Sequence, residues 1–237
     1  MSPARARERV SGEVREQVAA AARRLAEAGL LVGTAGNVSV RDGDQVAVTA
    51  TGVVLGGCTP DDVTVVSLGG EVLEGGLRPT SELDLHLGLY AADPALAAVV
   101  HTHAPYSTAI ACVLDELPVL HYQQLALGGA VRVAPYATFG SAELAAHVRD
   151  ALAGRQAALM ANHGSVAVGA SLAAAVEHAL LLEWLATLHH RASALGTPRV
   201  LTDAEQHDVI TAAISRGYGS TQPVVDQPET PAGEPTC

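Results

Sequence analysis

Lysine is absent from the chain, so its 14 basic residues other than histidine are all arginines. Catalysis through a lysine Schiff base is therefore excluded. The arginines are outnumbered by 25 acidic residues, which gives a formal net charge of −11. Because a duplex-binding surface needs clustered cations, this balance argues against nucleic acid as a partner. An anionic ligand would have to be held by local donors or by a metal ion.

Cysteine and long apolar runs are also scarce. Cys58, Cys112 and Cys237 show no C-x-x-C spacing, and so sparse a set argues against a disulfide framework and fits a reducing compartment. No run approaches the roughly 18 apolar residues of a membrane span. The charged N-terminal segment also lacks the apolar core of a secretory signal. We therefore expect a cytoplasmic protein that has no membrane partner.

The chain does carry a regular order of strand and helix patterns. Turn signals at 42–44 and 69–70 each separate two strand-like segments, and helical patterns lie at 10–28, 83–92, 105–113, 141–152, 171–194 and 202–215. Hairpin-linked strands with interspersed helices favour an α/β fold with a largely antiparallel central β-sheet and helices packed on both faces. We expect one domain over 1–219. The polar segment 220–237 is predicted to be a disordered C-terminal tail.

Two histidines one residue apart end a β-branched run at 99–103. Residues i and i+2 of a strand point to the same face, so His101 and His103 would present two imidazoles to one side. His163 also ends a buried strand, and Gly164 after it lets the backbone approach closely. Three neutral imidazoles with one open position are typical of a catalytic Zn²⁺ site. For any single histidine, a core position is the alternative.

Small residues and hydroxyls cluster in two turns and before one helix. These positions are Gly36 and Asn37, Thr51 and Gly52, and Thr80 and Ser81. Such turns and helix N-termini offer N–H groups and hydroxyls to anions, phosphate included. Ordinary hairpin turns are the alternative explanation. Thr80 or Ser81 is the expected N-cap of the helix that begins at 83.

Several motifs occur in the order typical of a known family. They are GNVSVR at 36–41, TATG at 49–52, RPTSE at 78–82, VVHTHA at 99–104, LHY at 120–122, GG at 128–129, APYATFG at 134–140 and NHG at 162–164. With this ordered set, the chain from about 10 to 218 resembles the class II sugar-phosphate aldolases of the fuculose-phosphate type, in the aldolase/adducin superfamily. The resemblance implies reversible retro-aldol cleavage of a ketose 1-phosphate to dihydroxyacetone phosphate and an aldehyde. The implied substrate is L-fuculose 1-phosphate or a 5-deoxy-ribulose 1-phosphate.

The resemblance also implies a role for each matching residue. Glu82 corresponds to the catalytic acid/base, and Tyr122 to a tyrosine that reaches a neighbouring subunit's active site. The implied ligands of Zn²⁺, or of another divalent transition metal, are His101, His103 and His163. The implied phosphate site consists of Gly36, Asn37, Thr51, Gly52, Thr80 and Ser81, and the implied aldehyde side of Phe139 and Tyr218. Because the family is typically a cyclic homotetramer with active sites at subunit interfaces, we expect the same assembly here.

Other functions stay open beside this one. Glu82 in a first helical turn is also explained by a favourable interaction with the helix dipole. Ribulose-phosphate 4-epimerases share the implied fold but tend to carry Asp where Glu82 stands, and His-Ala-Asp where Leu120-His121-Tyr122 stands. Decarboxylases and dehydratases that act on related sugar phosphates share the zinc triad. A non-enzymatic adducin-like interaction module would lack the triad and the base, and all four residues are present here.

Overall fold

A nine-stranded sheet organises the described part of the chain, in a computed structural model that describes residues 3–219 and, for 3–11, the backbone only. The strands are β1 (Asn37–Asp42), β2 (Gln45–Thr49), β3 (Val63–Ser67), β4 (Val72–Glu74), β5 (Ala98–Thr102), β6 (Glu116–Leu117), β7 (Val131–Ala134), β8 (Ala157–Met160) and β9 (Gly164–Gly169). Their order in the sheet is β4-β3-β2-β1-β5-β9-β8-β7-β6. Neighbours pair antiparallel except β7 and β8, which are parallel. The prediction of a largely antiparallel sheet is confirmed.

Helices cover both faces of this sheet, as predicted. They are α1 (Pro3–Glu27), α2 (Leu83–Ala92), α3 (Pro105–Ala111), α4 (Ala142–Leu152) and α5 (Leu172–Leu195). Buried side chains form one cluster between the sheet and α1, α3 and α5, and a second cluster against α2 and α4. The strands supply both clusters because successive side chains point to opposite faces. In β5, for example, Val100 belongs to the first cluster and Val99 to the second.

The pairing of β1 with β5 sets which polar side chains meet under α2. Asn37 lies opposite His101, and Ser39 lies opposite Val99. Residues opposite each other in a sheet share a face. Since Val99 packs in the cluster on the α2 side, Asn37, Ser39 and His101 face the same side.

The predicted N-cap of α2 is wrong by one or two residues. The helix begins at Leu83 with Glu82 as its N-cap, and no side-chain capping bond is made from that position. The reason is a tight turn just before the helix, in which the Leu83 N–H donates to the Thr80 carbonyl at 3.3 Å. The Thr80 hydroxyl accepts the Glu82 N–H at 3.2 Å, so it serves the turn and not the first helical residues. The two-residue strand β6 was not predicted either, because so short an element leaves no periodic pattern.

A second compact unit begins at Thr202 and is described to 219. Its helix α6 (Asp203–Arg216) starts at a capping box between Thr202 and Glu205 and ends at Gly217, which has a left-handed φ of 58°. The single domain over 1–219 stays a prediction, and the predicted tail at 220–237 lies outside the described residues. Among the described helices, none is both long enough and apolar enough to cross a bilayer.

Candidate active site

Three imidazoles meet at one end of β5. His101 is a fully buried residue of that strand, His103 follows it by two residues, and His163 lies in the tight turn between β8 and β9. Ring centroids are 4.7 Å apart for His101 and His103, and 4.9 Å apart for each of these with His163. One nitrogen of each ring lies within 4.8 Å of the others. The structure thus brings together the three histidines that the sequence singles out.

Two unusual backbone positions place His163 beside β5. A Cβ at Gly164 would lie 2.3 Å from the carbonyl oxygen of Thr102, so a side chain there would force the hairpin away from β5. Asn162 has a φ of 53°, a left-handed conformation that asparagine tolerates better than most residues. The N-H-G motif therefore has a geometric role as well as a chemical one.

Hydrogen bonding and burial keep these rings in the form that binds a cation. The His101 Nδ1–H donates to the carbonyl oxygen of Ser165 at 2.9 Å, so Nε2 is the nitrogen that faces the other two rings. Burial, and then the neighbouring His101, lowers the pKa of His103 to about 4 and also lowers the pKa of His163. Both rings are therefore neutral at pH 7 and retain a lone pair for a metal ion.

Glu82 completes the group from the N-terminus of α2. Its Oε2 lies 3.1 Å from His101 Nε2 and accepts a hydrogen bond from Asn37 Nδ2 at 3.0 Å, while Oε1 lies 3.5 Å from His163 Nε2. Burial by itself raises the pKa of this carboxyl, but the hydrogen bond and attraction to His101, with smaller effects of His163 and Asn37, hold the pKa well below its usual range. Glu82 is therefore a carboxylate at neutral pH.

This donor set fits a divalent cation. Within the described chain, Glu82 Oε1 is a buried oxygen without a hydrogen-bond partner, and a buried carboxylate oxygen in that condition is costly. Next to it stand three imidazoles, and the bond from His101 Nδ1 to Ser165 turns Nε2 of that ring toward the other two. Three histidines are a frequent ligand set of catalytic metal sites. His101, His103 and His163 could therefore hold a metal ion, with Glu82 close enough to contact it.

A cavity of about 440 Å³ opens in front of this group. Most of the candidate site residues line it, namely Gly36, Asn37, Thr51, Gly52, Thr80, Ser81, Glu82, His103, Phe139 and His163. It is also lined by residues that sequence reasoning missed, which are Thr34, Ala35, Ala50, Tyr136, Ala137 and Asn162. Two of these had a usable signal, because Tyr136 lies inside the APYATFG motif and Asn162 directly precedes His163.

The turns at 36–37 and 51–52 meet because β1 and β2 are antiparallel neighbours, so the start of one lies beside the end of the other. Gly36 has a φ of 94°, and a Cβ there would lie 2.8 Å from the His101 carbonyl oxygen. That close approach fixes the cavity wall against β5, the strand that carries His101. Of the lining residues that the structure describes, none is an arginine. An anion in this cavity would be bound by neutral hydroxyls and N–H groups.

The Thr80 hydroxyl is oriented by its two donors. Its oxygen accepts from Asn37 Nδ2 at 3.0 Å and from the Glu82 N–H at 3.2 Å. A hydroxyl has two lone pairs and one proton, so with both lone pairs engaged the proton is left to donate. Thr80 lines the cavity, and the acceptor for that proton would be a ligand there.

One predicted site residue of the first compact unit, Tyr122, lies apart from this cavity. Tyr122 starts a 3-10 turn, is 40% exposed, and contacts His121, which in turn contacts Trp184. It does not line the cavity of its own described chain. Tyr218 belongs to the second unit, and its role on the aldehyde side stays a prediction.

A carboxylate from α5 anchors the segment that follows His103. Glu183 accepts hydrogen bonds from the backbone N–H groups of Tyr106 at 2.9 Å and Ser107 at 2.8 Å, and from the Ser107 hydroxyl at 2.7 Å. These groups lie in the first turn of α3, whose own N-cap, Ala104, has no side-chain acceptor. A negative charge there also interacts favourably with the helix dipole. Glu183 therefore fixes the helix that begins two residues after a candidate metal ligand.

Comparisons with known proteins agree with this geometry. Residues 16–190 match the model of the family described as Class II Aldolase and Adducin N-terminal domain. The chain is 40% identical over 191 residues to a 5-methylthioribulose-1-phosphate/5-deoxyribulose-1-phosphate aldolase of Rhodospirillum rubrum, which covers 80% of this chain and 86% of the relative. It is 36% identical over 207 residues to a 5-deoxy-D-ribulose 1-phosphate aldolase of Bacillus thuringiensis, and the match covers 86% of this chain and 96% of the relative. A solved L-fuculose 1-phosphate aldolase superposes with a TM-score of 0.81 at 35% identity, covering 84% of this chain and 95% of that one. The chain therefore belongs to the class II aldolase and adducin family, and within it to the aldolases, which are carbon–carbon lyases.

Proposed function

We propose that this protein catalyses the reversible retro-aldol cleavage of a ketose 1-phosphate to dihydroxyacetone phosphate and a short aldehyde, with Zn²⁺ bound by His101, His103 and His163. The observation that carries the proposal is the buried Glu82 carboxylate, which contacts the histidine cluster and borders a cavity lined by neutral phosphate donors. Zinc bound there would act as a Lewis acid and polarise the substrate carbonyl next to the carbon that loses its proton.

The phosphate fits the part of the cavity formed by the turns at 36–37 and 51–52 and by the segment 80–81. Thr80 has its proton directed to a ligand, and the nearby Ser81 and Thr51 also line the cavity. Backbone N–H groups in such turns suit an anion without a cationic side chain. Holding the phosphate fixes C1 of dihydroxyacetone phosphate, and thereby places C3 near Glu82.

Glu82 is suited to move the proton. Its lowered pKa keeps it ionised at neutral pH, and Oε2 is occupied by His101 and Asn37. Oε1 is the oxygen left for a proton. In the condensation direction Glu82 removes the C3 proton of dihydroxyacetone phosphate, and in cleavage it returns a proton to the same carbon.

Tyr122 is proposed to protonate the aldehyde oxygen in the active site of a neighbouring subunit. Its exposure and its place apart from its own chain's cavity support that arrangement. The proposed assembly is a homotetramer with active sites at subunit interfaces. The proposed location is the cytoplasm, since three cysteines without paired spacing fit a reducing compartment.

The aldehyde end of the substrate is proposed to be short and apolar. Tyr136 and Phe139 line the outer part of the cavity and are each 64% exposed, so an apolar group placed there gains contact with two rings. Relatives named for 5-deoxyribulose 1-phosphate and 5-methylthioribulose 1-phosphate fit this chemistry, since cleavage of these sugars leaves a methyl or methylthio group on the aldehyde. L-Fuculose 1-phosphate, which would leave lactaldehyde, is the second candidate because of the structural match.

Incubation of the zinc-loaded enzyme with dihydroxyacetone phosphate and one aldehyde at a time tests this proposal. The panel is acetaldehyde, (methylthio)acetaldehyde and L-lactaldehyde, with products and their stereochemistry identified by NMR. We expect ketose 1-phosphates from the two apolar aldehydes, and reduced preference for them in Phe139→Ala. Absence of any aldol product with every aldehyde would overturn the aldolase proposal, while a preference for lactaldehyde would select the second candidate.

A further inference from the structure

Five buried polar side chains form a continuous ladder that leads from Glu82 into the interior. Asn37 Nδ2 bonds to Glu82, Asn37 Oδ1 to His86 Nε2, His86 Nδ1 to Ser39 Oγ at 2.7 Å, and Ser39 Oγ to the Tyr90 hydroxyl at 2.7 Å. None of the five is more than 6% exposed. His86, Ser39 and Tyr90 do not line the cavity, so they contact no ligand there.

The ladder has a simple origin in the sequence. Glu82, His86 and Tyr90 follow one another at a spacing of four residues, which places them on one face of α2. Asn37 and Ser39 are two residues apart in β1 and share a face of that strand. Because α2 packs over β1, side chains from the helix and the strand alternate along the ladder.

The ladder determines which way the Asn37 amide points. Its NH₂ group has two acceptors, the Thr80 hydroxyl and the Glu82 carboxylate, each at 3.0 Å. Its carbonyl oxygen has no proton, so the proton in the contact with His86 is on Nε2. A reversed amide would turn its oxygen toward the carboxylate and its NH₂ group toward an N–H donor. Both contacts would be repulsive.

The next two rungs determine which nitrogen of His86 carries the proton. Burial is the main cause that lowers the pKa of this ring to about 3, so it is neutral and has a single N–H. With that proton on Nε2, Nδ1 accepts, and the Ser39 hydroxyl is its donor. The Ser39 oxygen then accepts from the Tyr90 hydroxyl. Every proton in the ladder is thereby directed toward Glu82.

We propose that His86, held in its Nε2–H form by Ser39 and Tyr90, is a positioning residue that orients Asn37 and through it the Glu82 carboxylate. Because Asn37 also bonds to Thr80, the same ladder sets the base and one phosphate donor relative to each other. A buried polar ladder is costly unless its members are satisfied, and here each polar side-chain atom of Asn37, His86, Ser39 and Tyr90 has a partner. The catalytic part of the inference rests on the proposed function, whereas the His86 tautomer does not.

Steady-state kinetics of full-length, zinc-loaded variants test the ladder. His86→Leu keeps a side chain of similar volume but removes the hydrogen bonds to Asn37 and Ser39. We expect kcat to fall about 10- to 100-fold with zinc content unchanged. His86→Gln retains a donor near the ε position, so kcat should recover to within about fivefold of wild type. Leu89→Ala, in the same helix and 3% exposed, is the control for destabilisation and should leave kcat unchanged. Wild-type kcat in His86→Leu, or an equal loss in Leu89→Ala, would overturn the proposal.

Nitrogen-15 NMR of the histidine rings provides a readout that is independent of activity. We expect the His86 resonances, identified by their loss in His86→Gln, to show a neutral ring protonated at Nε2 in the wild type. In Ser39→Ala the donor to Nδ1 is gone, and the Nδ1–H form should become populated. If the wild-type His86 ring were protonated at Nδ1, the proposed positioning role of His86 would be refuted even in an active enzyme. If the wild type cleaved no ketose phosphate, the proposed function would fail, and the tautomer would still decide whether the ladder exists.

Discussion

The inner and outer ends of the cavity are built in different ways. At the inner end, Asn37, Thr80 and Glu82 are 3%, 7% and 6% exposed, and the Asn37 amide bonds to both of the other side chains. At the outer end, Tyr136 and Phe139 are each 64% exposed. The inner end is thus preorganised by the core of one chain, while the outer end is open.

On the proposed function, this difference assigns the reaction to the inner end of the cavity and the choice of aldehyde to the outer end. A base and a metal site need fixed distances, and the residues proposed for them lie at the ends of paired strands and at a helix N-terminus. Exposed aromatic side chains can change with little effect on the sheet, because few core contacts depend on them. We therefore expect changes at the inner end to remove the reaction, and changes at the outer end to alter its rate or its aldehyde.

The largest effect is expected from His103→Ala. Loss of one of three imidazoles should release the metal and lower aldol turnover by about 10³-fold or more, because the electrostatic stabilisation it supports is lost. Elemental analysis after dialysis checks the metal, and His147→Ala, a change on α4 away from the cluster, is the control. Retention of one metal per chain by His103→Ala would remove His103 from the ligand set.

A smaller loss, of a different kind, is expected from Tyr122→Phe. If Tyr122 protonates the aldehyde oxygen, turnover should fall about 100-fold while exchange of the C3 proton of dihydroxyacetone phosphate with solvent continues. Deuterium incorporation measured by NMR separates the two steps. If proton exchange and turnover fell equally, Tyr122 would act at the inner end of the cavity. That result would contradict the division of roles between the inner and outer ends.

Acid should lower the free energy of unfolding because the His86 ring is buried and neutral in the folded protein. The pKa of His86 is about 3 in the folded protein against 6.5 for an ordinary histidine, so between these values the unfolded chain binds one more proton. Stability contributed by this ring is therefore present above pH 6.5 and falls by about 1.4 kcal/mol per unit as the pH drops toward 3. The free energy of unfolding is measured with urea at pH 6, 5 and 4, at equal protein and metal concentrations. Plotted against pH, it should fall less steeply in His86→Gln than in the wild type, by about this amount per pH unit. Parallel slopes would mean that the ring is not neutral in the fold.

The smallest effect is expected at the anchor behind His103. Glu183→Gln weakens charge-assisted hydrogen bonds to the first turn of α3 and should lower the free energy of unfolding by about 1–2 kcal/mol. Glu177→Gln on the same helix breaks an exposed ion pair with Arg24 and should cost less than about 1 kcal/mol. If both variants lost the same free energy of unfolding, the hydrogen bonds from α3 to Glu183 would contribute no more to stability than an exposed ion pair.

The sequence predicts the inner end better than the outer end. Strand periodicity places His101 and His103 on one side, and the helical pattern at 141–152 matches α4 with its N-cap Ser141, because such features depend on neighbours in sequence. The contact of His163 with β5 depends on strand pairing, which no local pattern encodes, and it was inferred from residue type and the glycine that follows. His86 was not among the predicted site residues, although its spacing of four from Glu82 is visible in the sequence. Its partners on β1 become apparent only in the fold.

The outer end was predicted from the family resemblance and not from local pattern. Tyr136 was missed because it has no periodic signal, although it lies inside the APYATFG motif. Tyr122 lies away from the cavity of its own chain, and only the family resemblance connects it with an active site. The turn before α2 was misjudged by one or two residues because two adjacent hydroxyl residues both suit an N-cap.

The central claim is that Glu82 removes the C3 proton of dihydroxyacetone phosphate at the inner end of the cavity. Its most direct test is deuterium incorporation from D₂O into dihydroxyacetone phosphate, without aldehyde, by zinc-loaded wild type and Glu82→Gln. We predict rapid exchange in the wild type and a loss of at least about 100-fold in Glu82→Gln at unchanged zinc content. Exchange at the wild-type rate in Glu82→Gln would show that another group is the base.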